Sequence, residues 1–213
     1  LLADSRLDVM AVDIDHEAID YLQTLFPDHR EKFVEGDFLK LDVAKLFSGP
    51  FSVIGNFPYN ISSQILFKVL THRDQMTEVV GMFQKEVAER IVAMPGSKVY
   101  GILSVLVQTF YHADYLFTVG EQVFYPRPKV KSAVIRLIRN ERGKLACNED
   151  FFFEVVKTAF NQRRKTLRNA LKSFDTEKKL LHESIFSSRA EQLSVEEFIL
   201  MATELEKVVQ GQG

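Results

Sequence analysis

The chain has 213 residues, 46% hydrophobic and 26% charged, which suits an ordinary globular protein with one good core and room for a smaller second one. No apolar run approaches the roughly 20 residues of a membrane span, and no basic segment followed by a long apolar core opens the sequence, so a cytosolic location is expected. The net charge of −2 speaks against a nucleic-acid partner only as an average: from Tyr125 to Lys172, thirteen Lys/Arg stand against four Asp/Glu.

In chain order, "DVMAVDID" reads as a buried strand ending in acids, and "HEAIDYLQTLF" as a helix with Ala18, Leu22 and Leu25 on one side. "KFVEGDF" is the next strand, "FSVIGN" another, "ISSQILFKVLTH" a helix with Ile61, Ile65, Leu66 and Val69 inward, and "TEVVGMF" a further strand. Strands alternating with helices predict a parallel α/β sheet. After the Pro-Gly loop in "MPGSK", the apolar "YGILSVLVQTFYHA" is a helix candidate despite its β-branched residues. Two β segments separated by a Pro-rich elbow, "YLFTVGEQVFYPRPKVKSAVIRLIR", predict a closing antiparallel hairpin. The polar "NERGKLACNED" marks a boundary, so residues 1–140 are expected to form one domain and residues 148–213 a small helical one. Its patterns are "FFFEVVKTAFNQRRKTLRNALKSF", "TEKKLLHESIF" and "SVEEFILMATELEKVVQ", the last opening with a capping box from Ser194 to Glu197.

Cys147 is the single cysteine and reads as a spare thiol, and the five histidines lack the spacing of a helical metal site, so no metal is expected. No Gly-rich turn of the GxG kind occurs, and the chain opens with what looks like the tail of a helix feeding the acidic strand. A first strand-turn-helix unit is thus either missing from this sequence or never part of it.

In open α/β sheets ligands bind beyond the carboxyl ends of the strands. Those ends carry Asp13 and Asp15, then Asp37 and Phe38, then Asn56, Phe57, Pro58 and Tyr59. A carboxylate such as Asp13 suits the vicinal hydroxyls of a ribose, while Asp15 is placed to cap the following helix. Asp37 beside Phe38 fits either an adenine edge with an apolar wall or a turn aspartate next to a core ring. The Asn-x-Pro-Tyr stretch is the most specific: its chance occurrence in a chain of this length is on the order of a per cent. A nucleobase exocyclic amine is a poor nucleophile because its lone pair is delocalised into the ring. Two acceptors, the Asn56 side-chain carbonyl and the Phe57 backbone carbonyl, can turn that nitrogen toward sp³. Pro58 fixes the local backbone and Tyr59 offers a stacking face. The alternative is an ordinary β-to-α turn.

Together, "GNFPYNISSQILF", "VFYPRPKVKSAVIRL" and "FNQRRKTLRNALKSF" make the chain resemble the ribosomal RNA adenine N6-dimethyltransferase family, in its bacterial small-subunit branch, from about Val9 to Leu205. The resemblance implies a Rossmann-like S-adenosylmethionine domain with a small helical C-terminal domain, dimethylating two adjacent adenines near the 3′ end of small-subunit ribosomal RNA. Asp13 would hold the cofactor ribose with Ile14 beside its adenine, and Asp37 and Phe38 would address that adenine's edge. Asn56 would touch both cofactor and target amine, Tyr59 would stack on the target base, and Phe124 would clamp its other face. Where the family often carries glutamate, Asp13 keeps the carboxylate. The family's N-terminal segment, with its Gly-rich loop and central first strand, has no counterpart here, so the sequence is expected to be N-terminally incomplete and to bind the cofactor weakly or not at all. The expected partner is small-subunit RNA or the immature subunit, with the protein a monomer away from membranes. Methylation of large-subunit RNA or of DNA, or a non-catalytic role in ribosome assembly, shares part of these features.

On a helical wheel centred on Phe160, Val156, Leu167 and Leu171 form a buried stripe, with Asn161, Lys165, Arg168 and Lys172 on its flank. Together with Arg164, these cations are expected to meet the RNA backbone; a merely solvated surface is the alternative.

Overall fold

The computed structural model describes residues 1–2, 4–174 and 184–211, with Ala44 described only by its backbone. Residues 1–49 and 50–213 form two compact units.

In the first unit, strand β1 (Ala11–Asp13) lies parallel to β2 (Phe33–Glu35), with Asp13 opposite Glu35, and helix α1 (His16–Leu25) joins them. Asp15 caps α1 by accepting a hydrogen bond from the Glu17 N–H at 3.0 Å, so its helix-capping reading holds. Ile19 is the buried residue of α1, whereas Leu25, expected on the inner side, is exposed.

The second unit is built on a four-stranded sheet in the order β3-β4-β6-β5: β3 (Phe51–Asn56), β4 (Met76–Gln84), β5 (Tyr111–Val119) and β6 (Ser132–Arg139). β3 and β4 are parallel, linked by α2 (Ser62–Thr71), and β6 runs antiparallel to both β4 and β5. The hairpin expected from the Pro-rich elbow is therefore present, with its second strand inserted beside β4. A parallel crossover needs a helix, which α2 supplies by burying Ile65, Leu66, Val69 and Leu70. Helix α3 (Lys85–Ile91) follows β4, and α4 (Ile102–Phe110) feeds β5 directly.

Helix α4 is buried along nearly its whole length and packs against α2, α3 and the helices of residues 149–161 and 195–210. Burial on every side outweighs the weak helix propensity of its Val and Thr residues. The polar stretch after β6 is tied to the end of this helix. Arg139 donates to the Phe110 carbonyl at 2.9 Å, and Asn140 and Arg142 donate to the Thr109 carbonyl at 3.2 and 3.0 Å. These bonds satisfy carbonyls that a helix C-terminus leaves without partners.

The remaining helices are α5 (Glu149–Asn161), the short α6 (Leu167–Ala170) and α7 (Val195–Gln210). Phe160 of α5 stacks on Phe198 of α7, with ring centres 5.6 Å apart, and meets Tyr100 edge-on. The capping box of α7 forms as expected, with the Ser194 N–H donating to Glu197 at 2.7 Å and the Glu197 N–H donating back to the Ser194 hydroxyl. The sequence reading ran one helical pattern from 151 to 174, but the backbone breaks between Gln162 and Thr166. Partners outside the helix account for this: Arg163 donates to the Lys98 carbonyl at 2.7 Å and the Leu167 N–H to the Ser188 carbonyl at 2.8 Å. Most of the helical pattern "TEKKLLHESIF" lies outside the described residues, and its final part is a 3₁₀ turn, Ser184–Ser187. Among the described residues no helix is long and apolar enough to cross a membrane.

Candidate active site

At the carboxyl end of β1, the Asp13 carboxylate accepts the Asp15 N–H at 2.9 Å through Oδ1, and its backbone carbonyl accepts the Gly36 N–H at 2.8 Å. The second bond joins the exits of the two parallel strands. Beyond β2, Asp37 accepts the Leu39 N–H at 2.9 Å through Oδ1, while its Oδ2 lies 3.7 Å from the Lys40 ammonium. Each aspartate thus spends one oxygen bracing its own loop, and the second oxygen of Asp37 faces Lys40. Ile14 is 71% exposed beside Asp13, and Phe38 is half-buried next to Asp37. His16, at the start of α1, bonds Glu35 through Nδ1 at 2.8 Å and lies 3.3 Å from Asp20. The Glu35 hydrogen bond and then the Asp20 charge hold its imidazole pKa above the usual histidine value.

In the second unit the strand end is more elaborate. Asn56 is the last residue of β3, opposite Met82 of β4. It is exposed, and its side-chain amide makes no hydrogen bond to another described residue. Phe57 turns inward, 8% exposed, and its N–H donates to the Met82 carbonyl at 3.3 Å. Its ring occupies a slot made by two glycines that face each other in register, Gly55 of β3 and Gly81 of β4. A β-carbon on Gly81 would lie 2.6 Å from that ring, and one on Gly55 2.8 Å from it. Phe83 closes the slot with its ring centre 5.2 Å from that of Phe57. The wedged ring and the bond from the Phe57 N–H to Met82 seat this residue firmly at the strand exit.

Pro58, with φ −59°, leads into a 3₁₀ turn (Tyr59–Ile61) whose first carbonyls are bound by the next helix: the Ser62 hydroxyl donates to the Tyr59 carbonyl at 3.0 Å. The Tyr59 hydroxyl forms a short hydrogen bond with the hydroxyl of Ser132, a fully buried residue that opens β6. Ser132 pairs with Gln84 of β4 on one side and Val119 of β5 on the other. The elbow of residues 120–131, which carries half-buried Phe124, therefore leaves and re-enters the sheet at the edge where Tyr59 is tethered.

Arg164, Lys165, Arg168 and Lys172 are all exposed, while Val156, Leu167 and Leu171 are buried. The expected division into a packed side and a basic side is present, although two short helices and a turn produce it instead of one continuous helix. Arg168 donates to the Ser187 hydroxyl at 3.3 Å, and Arg163 is directed to Lys98 and Glu191.

Two features of the site were not anticipated from the sequence. One is the glycine slot; "VIGN" and "VVGMF" each showed an isolated glycine in a strand, a known mark of close approach. The other is Ser132, which read only as one position in the alternation of the last strand.

Strands that run parallel and end in carboxylates and an amide, followed by a final strand slotted antiparallel beside its predecessor, define a Rossmann-like methyltransferase. Within that class the chain belongs to the ribosomal RNA adenine dimethylase family, which it matches over residues 2–207. It is 58% identical over 198 residues to ribosomal RNA small subunit methyltransferase A of Cytophaga hutchinsonii, an alignment covering 93% of this chain and 77% of that protein. Among solved structures it is similar to a dimethyladenosine transferase from Plasmodium falciparum, with TM-score 0.77 and 27% identity over 94% of this chain and 82% of that one. The 23S rRNA methyltransferase ErmE shares the fold, with TM-score 0.66 at 20% identity over the same shares.

Proposed function

We propose that the protein transfers methyl groups from S-adenosylmethionine to the N6 atoms of two adjacent adenines near the 3′ end of small-subunit ribosomal RNA, during subunit assembly in the cytoplasm. The observation that carries this reading is the exit of β3: an exposed amide at Asn56, a Phe57 whose ring is wedged between two glycines, and a tyrosine ring held by its own hydroxyl. The identity to a relative named for small-subunit RNA supports the choice of substrate.

The residues present fit the methyl donor. Asp13 and Asp37 are strand-end carboxylates, each with one oxygen bound to its own loop, flanked by the apolar Ile14 and Phe38. Asp13 would take the ribose hydroxyls, Ile14, Asp37 and Phe38 the adenine, and Asn56 the region next to the reacting methyl group. When bound, S-adenosylmethionine supplies a methyl group activated by a sulfonium.

The protein's own residues act on the acceptor. The Asn56 side-chain oxygen and the Phe57 carbonyl accept hydrogen bonds from the target amine, localising its lone pair on nitrogen. Tyr59 and Phe124 hold the extruded base between two rings, and base-aromatic stacking is worth about 1–3 kcal/mol. With the amine so oriented, Asn56 and Phe57 would present its nitrogen to the methyl group that the cofactor would supply, and the proton given up by that nitrogen would leave to solvent. No general base with a displaced pKa is required. Beyond the site, Arg164, Lys165, Arg168 and Lys172 carry the RNA backbone, with the helical segment 148–213 facing the subunit.

The test is the single-turnover rate of methyl transfer by the full-length protein and its Asn56→Ala variant, at saturating cofactor and RNA. Loss of one preorganised acceptor should slow transfer by about 10²–10³-fold, by analogy with removal of a single oxyanion-hole group. A variant rate within threefold of the parent would remove Asn56 from the chemistry.

A further inference from the structure

A polar contact joins the β3 exit to the last strand of the sheet: the hydrogen bond between the Tyr59 and Ser132 hydroxyls. We propose that Ser132 is a positioning residue, which sets the orientation of the Tyr59 ring and so the pose of the stacked target base. The inference rests on the reading of Tyr59 as the stacking surface.

The reasons are geometric. Ser132 is fully buried and anchored by backbone pairing on both sides, to Gln84 and to Val119. Its hydroxyl is therefore a fixed point. Tyr59 is only half-buried, in a short 3₁₀ turn directly after a proline, and is not held within a strand or a long helix. Without a restraint at its far end, the ring could rotate about its side-chain torsions. The structure pins it twice: Ser62 holds the backbone carbonyl at 3.0 Å, and Ser132 holds the hydroxyl. A serine in the interior of this sheet has no packing advantage over alanine, its neighbour at Ala133. Its hydroxyl needs a partner, and Tyr59 is that partner. Small displacements of a reacting group are costly to rate, so a tether that fixes a stacking surface acts on turnover more than on RNA affinity, which resides chiefly in backbone contacts.

The experiment compares Ser132→Ala, Tyr59→Phe, the double variant and Tyr59→Ala in single-turnover methyl transfer to undermethylated small subunits, alongside RNA affinity and melting temperature. Ser132→Ala and Tyr59→Phe should each slow transfer by about 3- to 10-fold, the range of one hydrogen bond. The double variant should be no slower than either single one, because both remove the same contact. RNA affinity should stay within twofold in Ser132→Ala and Tyr59→Phe, which keep the ring, and Tyr59→Ala should be much slower than Tyr59→Phe. Additive losses, or parental rates in both single variants while Tyr59→Ala is impaired, would overturn the role of Ser132 and leave the stacking surface standing. A fully active Tyr59→Ala would instead overturn the stacking reading and this inference with it. Should Ser132→Ala fail to fold, Tyr59→Phe alone decides: a parental rate contradicts the tether.

Discussion

Gly55 and Gly81 face each other across β3 and β4 and leave the space in which the Phe57 ring lies, so the absence of two β-carbons seats the residue whose carbonyl is proposed to meet the target amine. Alanine at Gly81 would place its methyl 2.6 Å from the Phe57 ring and 2.7 Å from that of Phe83, forcing one of them to move. Overpacking of this kind costs about 1–3 kcal/mol. Gly81→Ala should accordingly lower the free energy of unfolding in urea by that amount and also slow methyl transfer, since the displaced ring carries the Phe57 carbonyl with it. Unchanged stability and rate together would show that the slot does not constrain Phe57. From the sequence, Phe57 was notable for its backbone only; that its ring fills a gap between glycines on two strands depends on their register, which a linear reading does not supply.

Helix α1 and the strand ends beside it hold the most responsive electrostatics of the first unit. His16 lies between Glu35 and Asp20, and its raised pKa reflects stabilisation of the charged imidazole by its hydrogen bond to Glu35 and by the nearby carboxylates. A pKa raised on folding means that this stabilisation is complete below the ordinary histidine value and disappears as pH rises through the folded value. In an NMR titration the His16 ring should titrate above an ordinary histidine, and Glu35→Gln should bring it down; no change on that substitution would contradict the pairing. Helix α7 opens with the capping box foreseen at Ser194 and Glu197, and Ser194→Ala should destabilise the fold by about 1 kcal/mol in thermal or urea unfolding. The basic segment offers a different measurement. Because each phosphate contact releases counterions, Lys165→Ala or Lys172→Ala should reduce the slope of log affinity against log salt by about 1. An unchanged slope would take that residue out of the interface. Element boundaries were legible where local signals sufficed, as in the α7 cap and the alternation of β6. The break between α5 and α6 was not, because its partners are distant in sequence: Lys98, whose carbonyl takes the Arg163 guanidinium, and Ser188, whose carbonyl takes the Leu167 N–H.

For the whole molecule, the order of elements pointed to an α/β sheet, and the resemblance carried by three motifs pointed to the ribosomal RNA adenine dimethyltransferase family to which the chain belongs. Asn56, Tyr59 and the paired aspartates are local motifs and could be read directly. The insertion of β6 between β4 and β5, and with it the position of Ser132, arises from long-range pairing and emerged only in three dimensions. The central claim is that this assembly methylates adenine in small-subunit RNA. Its most direct test supplies the full-length protein with labelled S-adenosylmethionine and, in parallel, small and large ribosomal subunits lacking the modification, followed by nucleoside analysis of each RNA. The account predicts label in N6-dimethyladenosine from two adjacent positions of the small-subunit RNA. Label confined to large-subunit RNA, or none in adenine from either subunit, would contradict it.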